Sequence, residues 1–178
     1  MSAIEIKYLL SELKTRITAQ TGFSSEEVFT LPSHRPPPGF TYDRFISIVH
    51  TPAQVGDLHD RQALHLIHKV EIGIVGSVLV SPYEVFQSEV LEKELYQVLD
   101  KVRKAVVGDP FGLLSTVNSS ITNVDRRFLT PLYWSGDDPP EVVGADFFSA
   151  NPIEHEKVGI IIVSNYNGME QIIRNSSV

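Results

Sequence analysis

Six histidines, 22 Asp and Glu and a scatter of serines are the residues of this 178-residue chain suited to proton transfer, metal binding or nucleophilic attack. The tightest histidine group, His59, His65 and His68, has the residue type of a metal site or a general base. Its spacing opposes that use. On a strand, His65 and His68 differ by an odd number and project from opposite faces, so surface or half-buried histidines are expected instead. In Glu154-His155-Glu156 adjacent side chains diverge, and solvated charge is the simpler reading. Asp137, Asp138, Glu141 and Asp146 offer hard oxygens for calcium or magnesium but lack the alternating spacing of an EF-hand loop. Asp57, Asp60 and the serines contain the members of a catalytic triad, yet no Gly-x-Ser-x-Gly elbow exposes a nucleophile. Phosphate-cradling and dinucleotide glycine motifs are missing, and Gly73-Ile74-Val75-Gly76 reads as flexibility at a strand end. The chain has no cysteine, which excludes disulfides, thiolate zinc, iron–sulfur clusters and thiol nucleophiles. No cofactor, metal or catalytic residue is expected.

The 15 Lys and Arg against 22 Asp and Glu leave a net charge of −7, which argues against a protein that works by neutralising phosphates. Arg126-Arg127 beside Phe128 is the best basic and aromatic cluster. On a strand one of these arginines faces solvent and the other pairs with an acid. Tyr133, Trp134, Phe147 and Phe148 form a looser aromatic group, two of them in an acidic loop, as a subunit contact would use. The longest apolar run, Val158 to Val163, is far short of the roughly 18 residues of a spanning helix. The start Met1-Ser2-Ala3-Ile4-Glu5 has no basic region before an apolar core, so cytoplasmic synthesis is expected. The glycosylation patterns at Asn118 and Asn175 then read as accidental.

These side chains need elements to hold them, and the 42% hydrophobic and 21% charged content is that of one globular domain. Ile6, Leu9, Leu10, Leu13 and Ile17 make the apolar stripe of an opening helix, Ser2 and Glu5 have capping-box spacing, and Gly22 ends it. A short strand at 27–31 leads into a stiff Pro-rich arm (32–44). Strands follow at 44–50 and, with period two over Leu64, Leu66, Val70, Ile72 and Ile74, at 64–74. The main helix is predicted from Ser88, with Leu91, Leu95, Val98, Leu99, Val102 and Val106 on one face. Gly108-Asp109-Pro110 stops it. One or two strands are predicted within 121–134, a long acidic loop over 135–157, a strand over 158–166 buried on both faces, and a polar tail over 167–178.

The order helix, strand, extended arm, strand, long strand, helix, strands, final strand resembles that of bacteriophage tail-terminator and tail-completion proteins. The resemblance is carried by the Ile4 to Gln20 helix, the Pro-rich passage before Phe45-Ile46-Ser47-Ile48 and the strand His65 to Ile74. The helix ending Val106-Val107-Gly108-Asp109 and the Val158 to Val163 strand complete it. It implies a non-catalytic virion component, made in the bacterial cytoplasm, that assembles as a ring, commonly a hexamer. Such a ring stacks on the tail tube and meets the head connector. The expectation is thus an α+β fold, an antiparallel or mixed β-sheet packed by two main α-helices, contacting copies of itself and the tail-tube and connector proteins, with no membrane or sequence-specific nucleic acid as partner. Pro36, Pro37 and Pro38 in the arm and Phe147 and Phe148 in the loop are the interface candidates, since a ring needs a projecting segment that meets a different patch on the next copy. Two alternatives stand beside it: a small-molecule enzyme with a sheet–helix pocket using His50, His68 or Glu71, and a monomeric module whose Pro-rich arm is a ligand for a groove.

Overall fold

A computed structural model describes residues 3–35, 44–55, 63–79, 95–143 and 157–173. In chain order these form α1 (Ala3–Thr21), β1 (Val28–Thr30), β2 (Arg44–Val55), β3 (Ala63–Leu79), α2 (Gln97–Val107), α3 (Pro110–Ser120), β4 (Arg126–Asp137), β5 (Glu141–Val143) and β6 (Lys157–Ile173). The strands build one six-stranded sheet in the order β1-β2-β3-β6-β4, with β5 also on β6. Only β1–β2 is parallel, so the sheet is mixed and the fold is α+β as expected. Its spine is the β3–β6 ladder, partnered from Ala63↔Ile173 to Leu79↔Lys157.

Period-two alternation sorts the strand residues onto two faces. Ile46, Ile48, Val70, Ile72, Ile74, Ile160, Ile162 and Tyr166 pack under the helices, against Ile6, Leu9, Leu13 and Ile17 of α1, Leu99, Val102 and Val106 of α2, and Leu113 and Val117 of α3. Each such side chain contributes about 1.5–3 kcal/mol of transfer free energy. The opposite, open face buries a smaller cluster, Phe45, Val75 and Ile161, at one end of the sheet. Gly22, at φ 77°, takes the left-handed conformation that closes α1, its N–H reaching Thr18 O at 3.1 Å.

Several boundaries differ from expectation for identifiable reasons. The Gly108-Asp109-Pro110 stop also starts a third helix. Asp109 caps α3 by accepting from the Gly112 N–H at 3.1 Å, and Pro110 at the first position forfeits no helical hydrogen bond. Among the described residues the two expected covering helices thus become three. The predicted tail over 167–178 is strand as far as Ile173, because Gly168, Glu170 and Ile172 continue the helix-side parity of Tyr166 while Asn167, Met169 and Gln171 lie on the open face. The predicted loop over 135–157 begins inside β4 and contains β5; Asp138-Pro139-Pro140 merely interrupts one edge of β6, which both strands line. Gly73 sits in mid-strand rather than at a strand end, where a Cβ would meet His34 Nδ1 at 2.5 Å and Ser47 Oγ at 2.7 Å. The residues over 88–94, where the main helix is predicted to begin, lie outside those described, but Leu95, Leu99, Val102 and Val106 are buried as its stripe requires.

The edge strand β4 carries its own protection. Asn118 of α3 donates from Nδ2 to Phe128 O at 3.0 Å and accepts the Phe128 N–H at 2.8 Å, so one side-chain amide occupies both outward backbone groups. Pro131 offers no donor, and register shifts between Phe128 and Thr130 and between Thr130 and Tyr133 bend the strand.

Candidate functional site

The most concentrated chemistry lies under the helices, near the end of the sheet where β3 begins. His50 stands opposite Val70, His68 opposite Gly168, and Glu170 opposite both Leu66 and Phe128, which brings β2, β3, β6 and β4 together in one row of polar side chains. His50 Nε2 is 2.9 Å from His68 Nδ1. His68 Nε2 is 3.4 Å from Glu170 Oε2. Arg126 donates from Nε to Glu170 Oε1 at 3.1 Å and again from Nη2. His68 and Glu170 are fully buried and Arg126 is nearly so. Burial pushes the Glu170 carboxyl up, but hydrogen bonds from His68 and Arg126 and the guanidinium charge outweigh it and hold the group below the usual carboxylate range. Burial, with the neighbouring His68, holds His50 below the ordinary histidine value, and Glu170 opposes this.

An ionised carboxylate accepts only, so the His68 nitrogen that faces Glu170 at 3.4 Å is one that carries hydrogen, while either ring can supply the hydrogen between His50 Nε2 and His68 Nδ1. A single hydrogen fits between two nitrogens at that spacing. The row thus runs from His50 through His68 and Glu170 to Arg126, with His68 Nε2 and Glu170 Oε2 facing each other at 3.4 Å without good hydrogen-bond geometry, and the cavity beside it, between α1, α3 and β4, is lined by Leu9, Leu113, Leu114, Val117, Phe128, Thr130, Pro131 and Leu132. An apolar lining offers a substrate little to orient it.

A second cluster joins α2 to the edge of the sheet. Asp137 accepts from Trp134 Nε1 at 2.9 Å, from Ser164 Oγ at 2.7 Å and from Arg103 Nη2. Arg103 also donates to Asp100 at 2.7 Å and stacks 5.0 Å from the Trp134 ring centroid. Burial raises the Asp137 carboxyl, and the bonds from Ser164, Arg103 and Trp134 more than reverse this. Tyr166 Oη lies 2.9 Å from Ser164 Oγ, and burial pushes its phenol up to about 12. A third pair stands on the open face. His34 Nδ1 is 2.6 Å from Ser47 Oγ, which donates onward to Gly73 O at 3.4 Å. Ser47 is fully buried, so this is a strut under the start of the Pro-rich arm and not an exposed nucleophile.

The outcomes for the residues singled out by sequence are mixed. Arg126 and Arg127 divide as expected, Arg126 buried on Glu170 and Arg127 exposed. His65 and His68 take opposite faces. Of the acidic set, Asp137 is an ion-pair partner of Arg103 and Asp138 accepts from Asn165 Nδ2 at 3.3 Å, while Asp146 lies outside the described residues. Glu71 pairs with Lys69 at 3.5 Å. Tyr133 and Trp134 are 55% and 47% exposed, which makes them surface aromatics. Pro36, Pro37, Pro38, Phe147, Phe148 and His59 lie outside the described residues. Among the described residues no group of three metal-ligating side chains converges, and no helix is long and apolar enough to cross a membrane. Sequence reading missed Glu170 and Ser164; the alternation Tyr166-x-Gly168-x-Glu170-x-Ile172 is the signal that locates Glu170.

No protein-family model and no curated protein matches the chain. Among solved structures it is similar to a chain of the virion of a native gene transfer agent (GTA) particle, at 12% identity and a TM-score of 0.41, over 90% of this chain and 91% of that one.

Proposed function

We propose that the chain is a structural component of a phage or prophage tail, working through contacts between copies in a ring, commonly a hexamer, that terminates or joins the tail tube. Its partners are then itself, the tail-tube protein and the head connector, and it is made in the bacterial cytoplasm before residing in the virion tail. The observation that carries this reading is the Tyr133–Trp134 pair. Two adjacent aromatics stand exposed on an edge strand, yet Trp134 is held in place by Asp137 and by the Arg103 guanidinium against its ring. Rigid, partly exposed aromatics over a polar brace are what contact surfaces use, because little side-chain freedom is lost when they are covered. The order of elements from sequence supports the same reading.

Light scattering across a concentration series, with negative-stain imaging of the largest species, tests the proposal. Closed rings, formed by the chain alone or on added tail tubes, are expected. A chain that stays monomeric at every concentration and leaves purified tubes unbound refutes it.

A further inference from the structure

Beyond β1 the chain lies on the open face of the sheet as a strap, residues 31–35, and few contacts keep it there. Leu31 donates its N–H to Ile48 O at 3.0 Å, which ties the start of the strap to β2. Pro32, Ser33 and Arg35 are exposed and His34 is half-buried. Among the described residues, the side-chain hydrogen bonds of 32–35 come down to one, His34 Nδ1 with Ser47 Oγ at 2.6 Å. The ring sits in a slot that exists because Gly73 has no side chain: a Cβ there would meet His34 Nδ1 at 2.5 Å and Cε1 at 3.1 Å. The strap is thus pinned by a single side chain, and that side chain titrates.

Neutral and charged His34 fit this slot differently. A neutral ring has one hydrogen, and the Ser47 hydroxyl, which both donates and accepts, satisfies Nδ1 in either tautomer. The other nitrogen, Nε2, is buried with no hydrogen-bond partner. In the neutral ring it can be a bare lone pair; in the imidazolium it must be an N–H, and a buried cation then lacks an acceptor. The surrounding charges do not make this good. Glu71 on β3 and Asp138 after β4 favour the cation, but Glu71 is shared with Lys69 at 3.5 Å and Asp138 accepts from Asn165 Nδ2 at 3.3 Å. On either side of Gly73, β2 and β6 present the neutral Ser47 and Val163, and Arg35 on the strap itself is a like charge. Burial outweighs the two acids and holds His34 below the ordinary histidine value.

We infer that residues 31–35 are a proton-sensitive strap, pinned over Gly73 by neutral His34 and released when His34 takes up a proton, which opens the slot on the open face while the sheet stays folded. The pin is at full strength above about pH 6.5, the ordinary histidine value, and weakens as the pH falls towards the lower value of the pinned ring. The β2–β3 and β3–β6 ladders do not pass through His34, and Ser47 keeps its bond to Gly73 O at 3.4 Å, so release leaves the pairing of the sheet untouched. The switch stands apart from the assembly reading and acts equally in a ring subunit and in a single chain.

The chain has no cysteine, so a nitroxide attached to S33C reports on the strap alone. From about pH 7.5 to about pH 5 the mobile fraction of its electron paramagnetic resonance spectrum is expected to rise by about three-fold or more, with far-UV circular dichroism and Trp134 fluorescence unchanged. Adding H34Q, whose amide takes up no proton, is expected to abolish the pH dependence whatever its own mobility. Adding Gly73→Ala, which fills the slot, is expected to leave the label mobile at both pH values. A label with the same mobility at both pH values in the otherwise unchanged chain overturns the inference, as does a dependence that survives H34Q. A rise that coincides with loss of the circular dichroism signal overturns it too, because the strap then moves only as the whole chain unfolds.

Discussion

Replacing Glu170 by leucine removes the carboxylate that faces both Arg126 and His68 in the interior. The cost follows from what stays behind. Arg126 is 8% exposed and retains its charge without the Glu170 carboxylate, and the fully buried His68 loses the carboxylate that faces its Nε2 at 3.4 Å. Removing one partner of a buried ion pair costs about 3–5 kcal/mol, a large share of the roughly 5–15 kcal/mol that holds an ordinary domain folded. The double replacement R126M/E170L takes both charges out together and is expected to recover most of that loss, since apolar side chains of similar volume match or exceed a buried pair. Urea unfolding of E170L, R126M and the double variant, analysed as a cycle, gives the coupling directly. If E170L costs less than about 1 kcal/mol, the Arg126–Glu170 pair is solvated and the reading of it as a buried ion pair is wrong.

Three further outcomes are expected. Gly73→Ala places a methyl 2.5 Å from His34 Nδ1, so His34 leaves Ser47 at a cost of about 1–3 kcal/mol, and faster amide exchange over residues 31–35 registers the release. Burial holds both His34 and His50 below the ordinary histidine value of 6.5. The unfolded chain therefore takes up protons first, and the urea midpoint falls as pH drops from above 6.5 towards the lower folded-state values; the double replacement H34Q/H50Q flattens that dependence. Asn118→Leu uncovers the Phe128 N–H and C=O at the edge of β4, costing about 1–3 kcal/mol and promoting aggregation, which turbidity during thermal unfolding reports.

The elements with a strong period are legible in the amino-acid sequence. The α1 stripe Ile6, Leu9, Leu13 and Ile17 is buried as its spacing requires, and Leu64 to Ile74 is strand throughout. What escapes is context. Asp109-Pro110 has the same local chemistry whether it ends one helix or begins another, and only the apolar partners of Leu113 and Val117 decide. The second half of β6 reads as a polar tail because one of its faces is open and the other holds a charge, Glu170, whose partner Arg126 is 44 residues away in sequence. The alternation places Glu170 on the helix side, but nothing local announces its partner. His34 is hidden likewise, since its reason for burial is the missing side chain of Gly73 on a different strand.

The β3–β6 ladder, continuous from Ala63↔Ile173 to Leu79↔Lys157, has a mechanical meaning. A pull directed along these strands loads their hydrogen bonds in shear. All of them then resist at once rather than tearing open one after another, so the sheet acts as a stiff tie-rod whose yield force grows with its length.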